Sequence, residues 1–156
     1  MSVEYIRKIV VQQGQVFLYS KSRNDDRPYH IWRCDSLTKV YQQEGQAGLD
    51  REVMRMLCEY VVLVGWHESL ARYRHVLSSG EAEQIRQQYS AAVQAAFELL
   101  PAEDRKYPFT AQSEAAKQYR ATERRLSDEK YTALAALCTA HDNGKQIGHS
   151  RERRQL

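Results

Sequence analysis

The chain has 156 residues, of which 42% are hydrophobic and 28% charged, with a formal net charge of +3. That is enough apolar material for a core and excludes wholesale disorder. The charge excess belongs to the tail, where Lys145, Arg151, Arg153 and Arg154 face only Glu152, and the rest of the chain carries nineteen basic and nineteen acidic residues; so balanced a body does not advertise the many simultaneous neutralisations of a phosphate-binding surface.

The opening stretch, MSVEYIRKIVV, lacks the basic region and long apolar run of a signal peptide. The longest apolar run, Tyr60 to Val64, is far short of the ~20 residues of a membrane helix. Cys34, Cys58 and Cys138 are odd in number, widely spaced and without a C-x-x-C pair. They read as reduced thiols, so a cytoplasmic protein without membrane segments is expected.

In chain order, residues 4–43 read as a small antiparallel sheet of three or four strands. YIRKIVV is rich in β-branched residues, Gly14 offers a tight turn, and VFLYS follows. SRNDDRP has turn chemistry, and YHIWRC makes a third strand. A fourth is expected at LTKVYQ after Asp35-Ser36. Pleating places His30, Trp32 and Cys34 on one face of the third strand, and Tyr29, Ile31 and Arg33 on the other.

From residue 49 the period becomes helical. Asp50 is the expected N-cap of a helix carrying Val53, Leu57, Tyr60, Val61 and Val64. Residues 60–66 also fit a buried strand, and helix is the favoured reading. Gly65 bends the chain before a segment with Leu70, Tyr73 and Leu77, on which His67 and His75 share a solvated face with a Glu68–Arg72 pair. Ser78, three residues before Glu81, has capping-box spacing, and a stripe from Ala82 through Ile85, Tyr89 and Val93 to Phe97 follows. Pro101 ends it. A helix with Ala115, Tyr119, Thr122 and Leu126 comes next, then a last helix capped by Ser127 with Tyr131, Leu134, Leu137 and Cys138, closed by Asn143-Gly144. The expected class is therefore α+β, a small antiparallel sheet followed by four or five helices. One domain over residues 1–144 (sheet 4–43, helices 49–143) and a flexible basic tail over 145–156 complete the reading.

The densest functional residue types lie in KSRNDDRPYHIWR, residues 21–33. Arg23, Arg27, Tyr29, Trp32 and Arg33 are of the kinds that dominate protein-binding hot spots, although Asp25 and Asp26 pairing with the arginines across an exposed turn is the plainer account. Those aspartates count against nucleic acid, because they would face the same phosphates. His30 is a weak catalytic candidate: histidine is the usual general base, but no nucleophile for it is evident in sequence. Lys117, Arg120, Arg124 and Arg125 form a basic helical stripe that Arg151, Arg153 and Arg154 of the tail could extend.

Other motifs are discounted. GQAG (Gly45 to Gly48) has glycine spacing suited to a phosphate, but Asp50 and Glu52 follow it and would repel one. No metal-ligand or cofactor motif is legible, and His141-Asp142 reads as a helix-end cap. The leading expectation is a non-enzymatic regulatory protein that binds a protein partner through the Arg/Tyr/Trp surface. Val61, Val62, Leu63 and Val64 would offer a self-association seam. The alternatives are nucleic-acid binding by the hairpin arginines and tail, and a small hydrolase or phosphodiesterase using His30 with nearby arginines.

Overall fold

The structure, a computed structural model, describes residues 3–22, 28–142 and the backbone of 149–153. Strands β1 (Glu4–Gln12) and β2 (Gln15–Ser22) form an antiparallel hairpin. Its loop is Gln13-Gly14, with φ of 53° and 73°, and two successive positive values match the type I′ turn that suits strand twist. Strand β3 (His30–Arg33) pairs antiparallel with β2, setting Arg33 opposite Phe17 and Ile31 opposite Tyr19. The register of β1 slips between Ile6 and Lys8, a bulge that takes Arg7 out of the alternation.

Within the segment expected as a flexible tail, residues His149–Arg153 form strand β4, parallel to the end of β1, and the sheet order is β3-β2-β1-β4. One sheet face carries Ile9, Val11, Val16 and Leu18 into the core, with Trp32 packed at its margin. Helices cover that face.

Helix α1 (Asp35–Glu59) holds the largest correction. LTKVYQ is its first part, not a fourth strand. Leu37 is buried, and Val40 and Tyr41, three and four residues on, lie on the same face, with Tyr41 packed on the core. The β-branched Thr38, which favours strand locally, instead accepts a hydrogen bond through Oγ1 from the Val16 amide at 2.9 Å. That bond and the Cys34 amide to Val16 carbonyl bond, 2.8 Å, dock the helix start on β2. Asp50 is likewise interior to α1, not an N-cap. The break lies at Gly45, with φ 76° and ψ −158°. The two halves close so tightly there that a Cβ on Gly48 would stand 2.5 Å from Glu44 Cβ.

Tyr60 interrupts the apolar run, with φ −115° and ψ 37°, and α2 (Val61–Val64) is a single helical turn, not a buried strand. Helix α3 (Glu68–Leu77) then starts on His67, whose Nδ1 accepts from the Ser69 amide at 3.0 Å. His67 is therefore a buried cap and shares no solvated face with His75. Helix α4 (Gly80–Glu98) is capped by Ser79, one residue later than expected; the Ser78 hydroxyl donates to the Arg74 carbonyl.

The connector is ordered by its own side chains. Arg105 donates to the carbonyls of Leu100 (2.9 Å) and Glu98 (2.7 Å), satisfying the end of α4. Within it α5 (Ala102–Arg105) supplies Asp104, which accepts from the Ser113 hydroxyl at 2.6 Å. Ser113 in turn caps α6 (Glu114–His141). This helix runs unbroken for 28 residues. Ser127 is inside it, within 3.4 Å of the Arg55 guanidinium, and no second helix begins there. Tyr119, Leu126, Tyr131, Leu134 and Cys138 make its buried stripe, packed against α1, α3 and α4. The expected stop at Asn143-Gly144 lies outside the described residues.

Candidate binding surface

The sheet face turned away from the helices is defined by the pairing register. Lys8 on β1, Phe17, Tyr19 and Lys21 on β2, and Ile31 and Arg33 on β3 all point to it. Tyr29, just before β3, joins them through an edge-to-face contact with Tyr19, ring centroids 5.6 Å apart. The Lys8 ammonium lies 4.7 Å from the Tyr19 centroid and 5.1 Å from that of Tyr29, and Lys21 lies 4.9 Å from the Tyr29 centroid. Two ammonium groups are thus held on aromatic faces, an arrangement worth roughly 0.5–1 kcal/mol each at exposed sites. Ile31, 49% exposed, and Tyr29, 38% exposed, extend the apolar part of this face to solvent. Arg33 stands at its rim and donates through Nε to Asp35 at 2.8 Å.

This surface differs from the one expected. Tyr29 and Arg33 belong to it. Trp32 does not: it lies on the opposite face, against the core and 4.7 Å from the His30 ring. Arg23 and Arg27 lie outside the described residues. Lys8, Phe17, Tyr19 and Lys21 were missed, although the alternation of Phe17, Tyr19 and Lys21 in VFLYSK marks one strand face. The partner strand could not be read that way, because the bulge at Arg7 breaks the alternation before Lys8.

His30 sits at the open edge of the inner face. Its Nδ1 is 3.1 Å from Glu4 Oε2, and the Ser20 hydroxyl donates to the same carboxylate oxygen at 2.9 Å. The serine therefore gives its hydrogen to Glu4, not to the histidine, and the trio lacks the serine–histidine bond that activates a nucleophile. Nearby, the Arg7 guanidinium lies 4.3 Å from the Trp66 centroid, and Trp66 stacks on Tyr5 at 6.1 Å.

The helical arginines divide by role. Arg120 donates to the carbonyls of Ala111 (2.7 Å) and Pro108 (3.2 Å), fixing the connector to α6. Arg125 pairs with Glu129 at 2.9 Å along the helix. Arg124 and Arg125 edge a groove of about 690 Å³ on α6 that Tyr89, Ala133 and Ala136 also line. Arg151 and Arg153 belong to β4, whereas Arg154 lies outside the described residues.

The remaining reactive groups are subdued or structural. Burial raises the Cys58 thiol and pushes Cys138 up to about 12, which leaves both poor nucleophiles at neutral pH. Arg55 bridges Glu52 on its own helix and Asp128 on α6. Tyr131 donates to Glu59 at 2.8 Å, and burial followed by that bond raises its phenol. Among the described residues, no group of three or more histidine, cysteine, aspartate or glutamate side chains is placed to hold a metal ion. No helix among them is long and apolar enough to cross a membrane. No family model, curated protein or solved structure matches this chain.

Proposed function

We propose that the protein is a non-enzymatic binding or regulatory module that acts by protein–protein contact through the outer face of its sheet. The observation that carries this reading is the continuity of Lys8, Phe17, Tyr19, Lys21, Tyr29, Ile31 and Arg33 across three strands. Aromatic area with cations at its margin suits a partner surface bearing carboxylates and apolar side chains. Like charges on this face disfavour its pairing with a second copy of itself, so the partner is a different protein.

Single-stranded nucleic acid is the second reading, favoured by aromatic rings beside lysines on an open sheet. It ranks lower for a geometric reason. The lysines already occupy the faces of Tyr19 and Tyr29, and the two rings meet edge to face at 65°, leaving no parallel platform for successive bases.

One experiment separates them. The full chain is immobilised, partners are captured with and without nuclease, and the Lys8→Ala/Tyr19→Ala/Lys21→Ala variant is run beside wild type. A nuclease-resistant protein partner is expected, weakened about tenfold or more in the variant, which keeps its far-ultraviolet spectrum. Undiminished capture by the folded variant would remove the outer face from the mechanism. Nuclease-sensitive capture, with oligonucleotide affinity falling steeply as salt rises, would favour the second reading.

Self-association is a separate part of the proposal, and α2 is its seam. Val62 is 74% exposed, and Tyr60, Val61, Leu63 and Trp66 surround it in solvent, while Val64 is buried in the core and drops out of the seam.

A further inference from the structure

We propose that His75 and His141 form a two-histidine chelate for a late first-row divalent cation, Zn²⁺ or Cu²⁺, fastening the end of α6 to the end of α3. His75 lies in the last turn of α3, and His141 is the final residue of α6; both are exposed. They are 66 residues apart in sequence, yet their Nε2 atoms face each other at 3.1 Å.

The spacing is that of two ligands on one ion. Nitrogens bonded to a common metal at ~2.0–2.1 Å must lie about 2.9–3.4 Å apart for bond angles between square-planar and tetrahedral. A straight N–H···N hydrogen bond between the rings at this separation would set their centroids roughly 5.4 Å apart. The observed centroid separation is 4.7 Å with the planes at 71°, so the rings meet at an angle. The rings therefore do not meet head to head along the line joining the nitrogens, and the two separations together match those of two imidazoles on one ion at a bond angle of about 95–100°. With the proton of each ring on Nδ1, both Nε2 atoms are free to donate to a metal.

Imidazole nitrogen suits zinc, copper and nickel, whereas magnesium and calcium take oxygen ligands. The neighbouring charges fit a cation as well. The Asp142 carboxylate adjoins His141 and accepts from the Tyr73 hydroxyl. Of the positive groups on this part of α3, Arg72 is 3.5 Å from that same carboxylate and is paired with it, while the exposed Arg74 adjoins His75 in the last turn. The Tyr73–Asp142 bond joins the same two helices as the histidines, so the rings are brought together before any ion arrives and little further ordering is needed. Water completes the coordination shell, which makes the site weaker than a four-ligand structural zinc centre.

Calorimetric titration of the full, untagged chain with ZnCl₂ and with CuCl₂ near neutral pH tests the assignment. One ion per chain is expected, with affinity falling about tenfold or more in His75→Asn, in His141→Asn and in the double variant alike, because removing either ring destroys the chelate. Copper paramagnetic resonance should show two nitrogen ligands in wild type. The absence of binding overturns the proposal, as do single variants within twofold of wild type, comparable binding of MgCl₂, or a copper spectrum with fewer than two nitrogens.

Discussion

Tyr73 shows how one residue acquires several tasks through burial. Its ring is fully enclosed between α3 and α6, and its hydroxyl donates to Asp142 across them. Burial, then the Asp142 bond, pushes its pKa up to about 12. An unfolded tyrosine ionises near pH 10. The folded state therefore retains a proton that the unfolded state loses, and stability is fully present below pH 10 and lost as pH rises toward 12. Tyr73 alone contributes a loss of about 2–3 kcal/mol across that window, reckoned at ~1.4 kcal/mol per pH unit. Urea midpoints measured from pH 8 to pH 12 should fall more steeply in wild type than in Tyr73→Phe; parallel curves would show that this phenol does not couple ionisation to folding. The sequence identified Tyr73 as apolar-stripe material, because its spacing with Leu70 and Leu77 is local. Its partner Asp142 is 69 residues away, and no local pattern indicates it.

The elements differ from expectation where local and tertiary preferences compete. The hairpin, its turn and β3 agree with the sequence because strand propensity, alternation and Gly14 all act within a few residues. LTKVYQ has strand propensity too, but Leu37 and Tyr41 are drawn into the core at helical spacing, and Thr38 spends its hydroxyl on β2. Burial decided that segment. Helix α6 likewise passes through Ser127, since a serine caps a helix start only where the backbone at that residue is non-helical. The kink of α1 is the most exposed of these devices to mutation. At φ 76°, Gly45 sits where a Cβ is strained, and Gly45→Ala should cost about 1–2 kcal/mol. An unchanged denaturation midpoint would mean that the kink can move to a neighbouring residue.

At the scale of the whole molecule, the helices pack on one face of the sheet, and the other carries Tyr29 and Ile31 to solvent; this asymmetry shapes the proposed binding mode. Of α2, only Val64 enters the core, and Val62 stays in solvent beside Tyr60 and Trp66. Sedimentation equilibrium of wild type should show concentration-dependent dimers that Val62→Lys converts to monomers. A wild type that stays monomeric at the highest concentrations reached would eliminate α2 as a seam. The sequence by itself determined the α+β class, the hairpin, the stripes of α3, α4 and α6, and the division of Tyr29 and Arg33 from Trp32 across β3. These follow from periodicity and turn chemistry, which are short-range properties of the chain. Only the tertiary structure decided that Lys8 joins Tyr19 and Tyr29, that Val64 leaves the exposed run for the core, and that His75 meets His141. Each depends on strand register or helix packing between distant residues, and such contacts are set by which faces bury together, a property of the assembled chain that no short window contains.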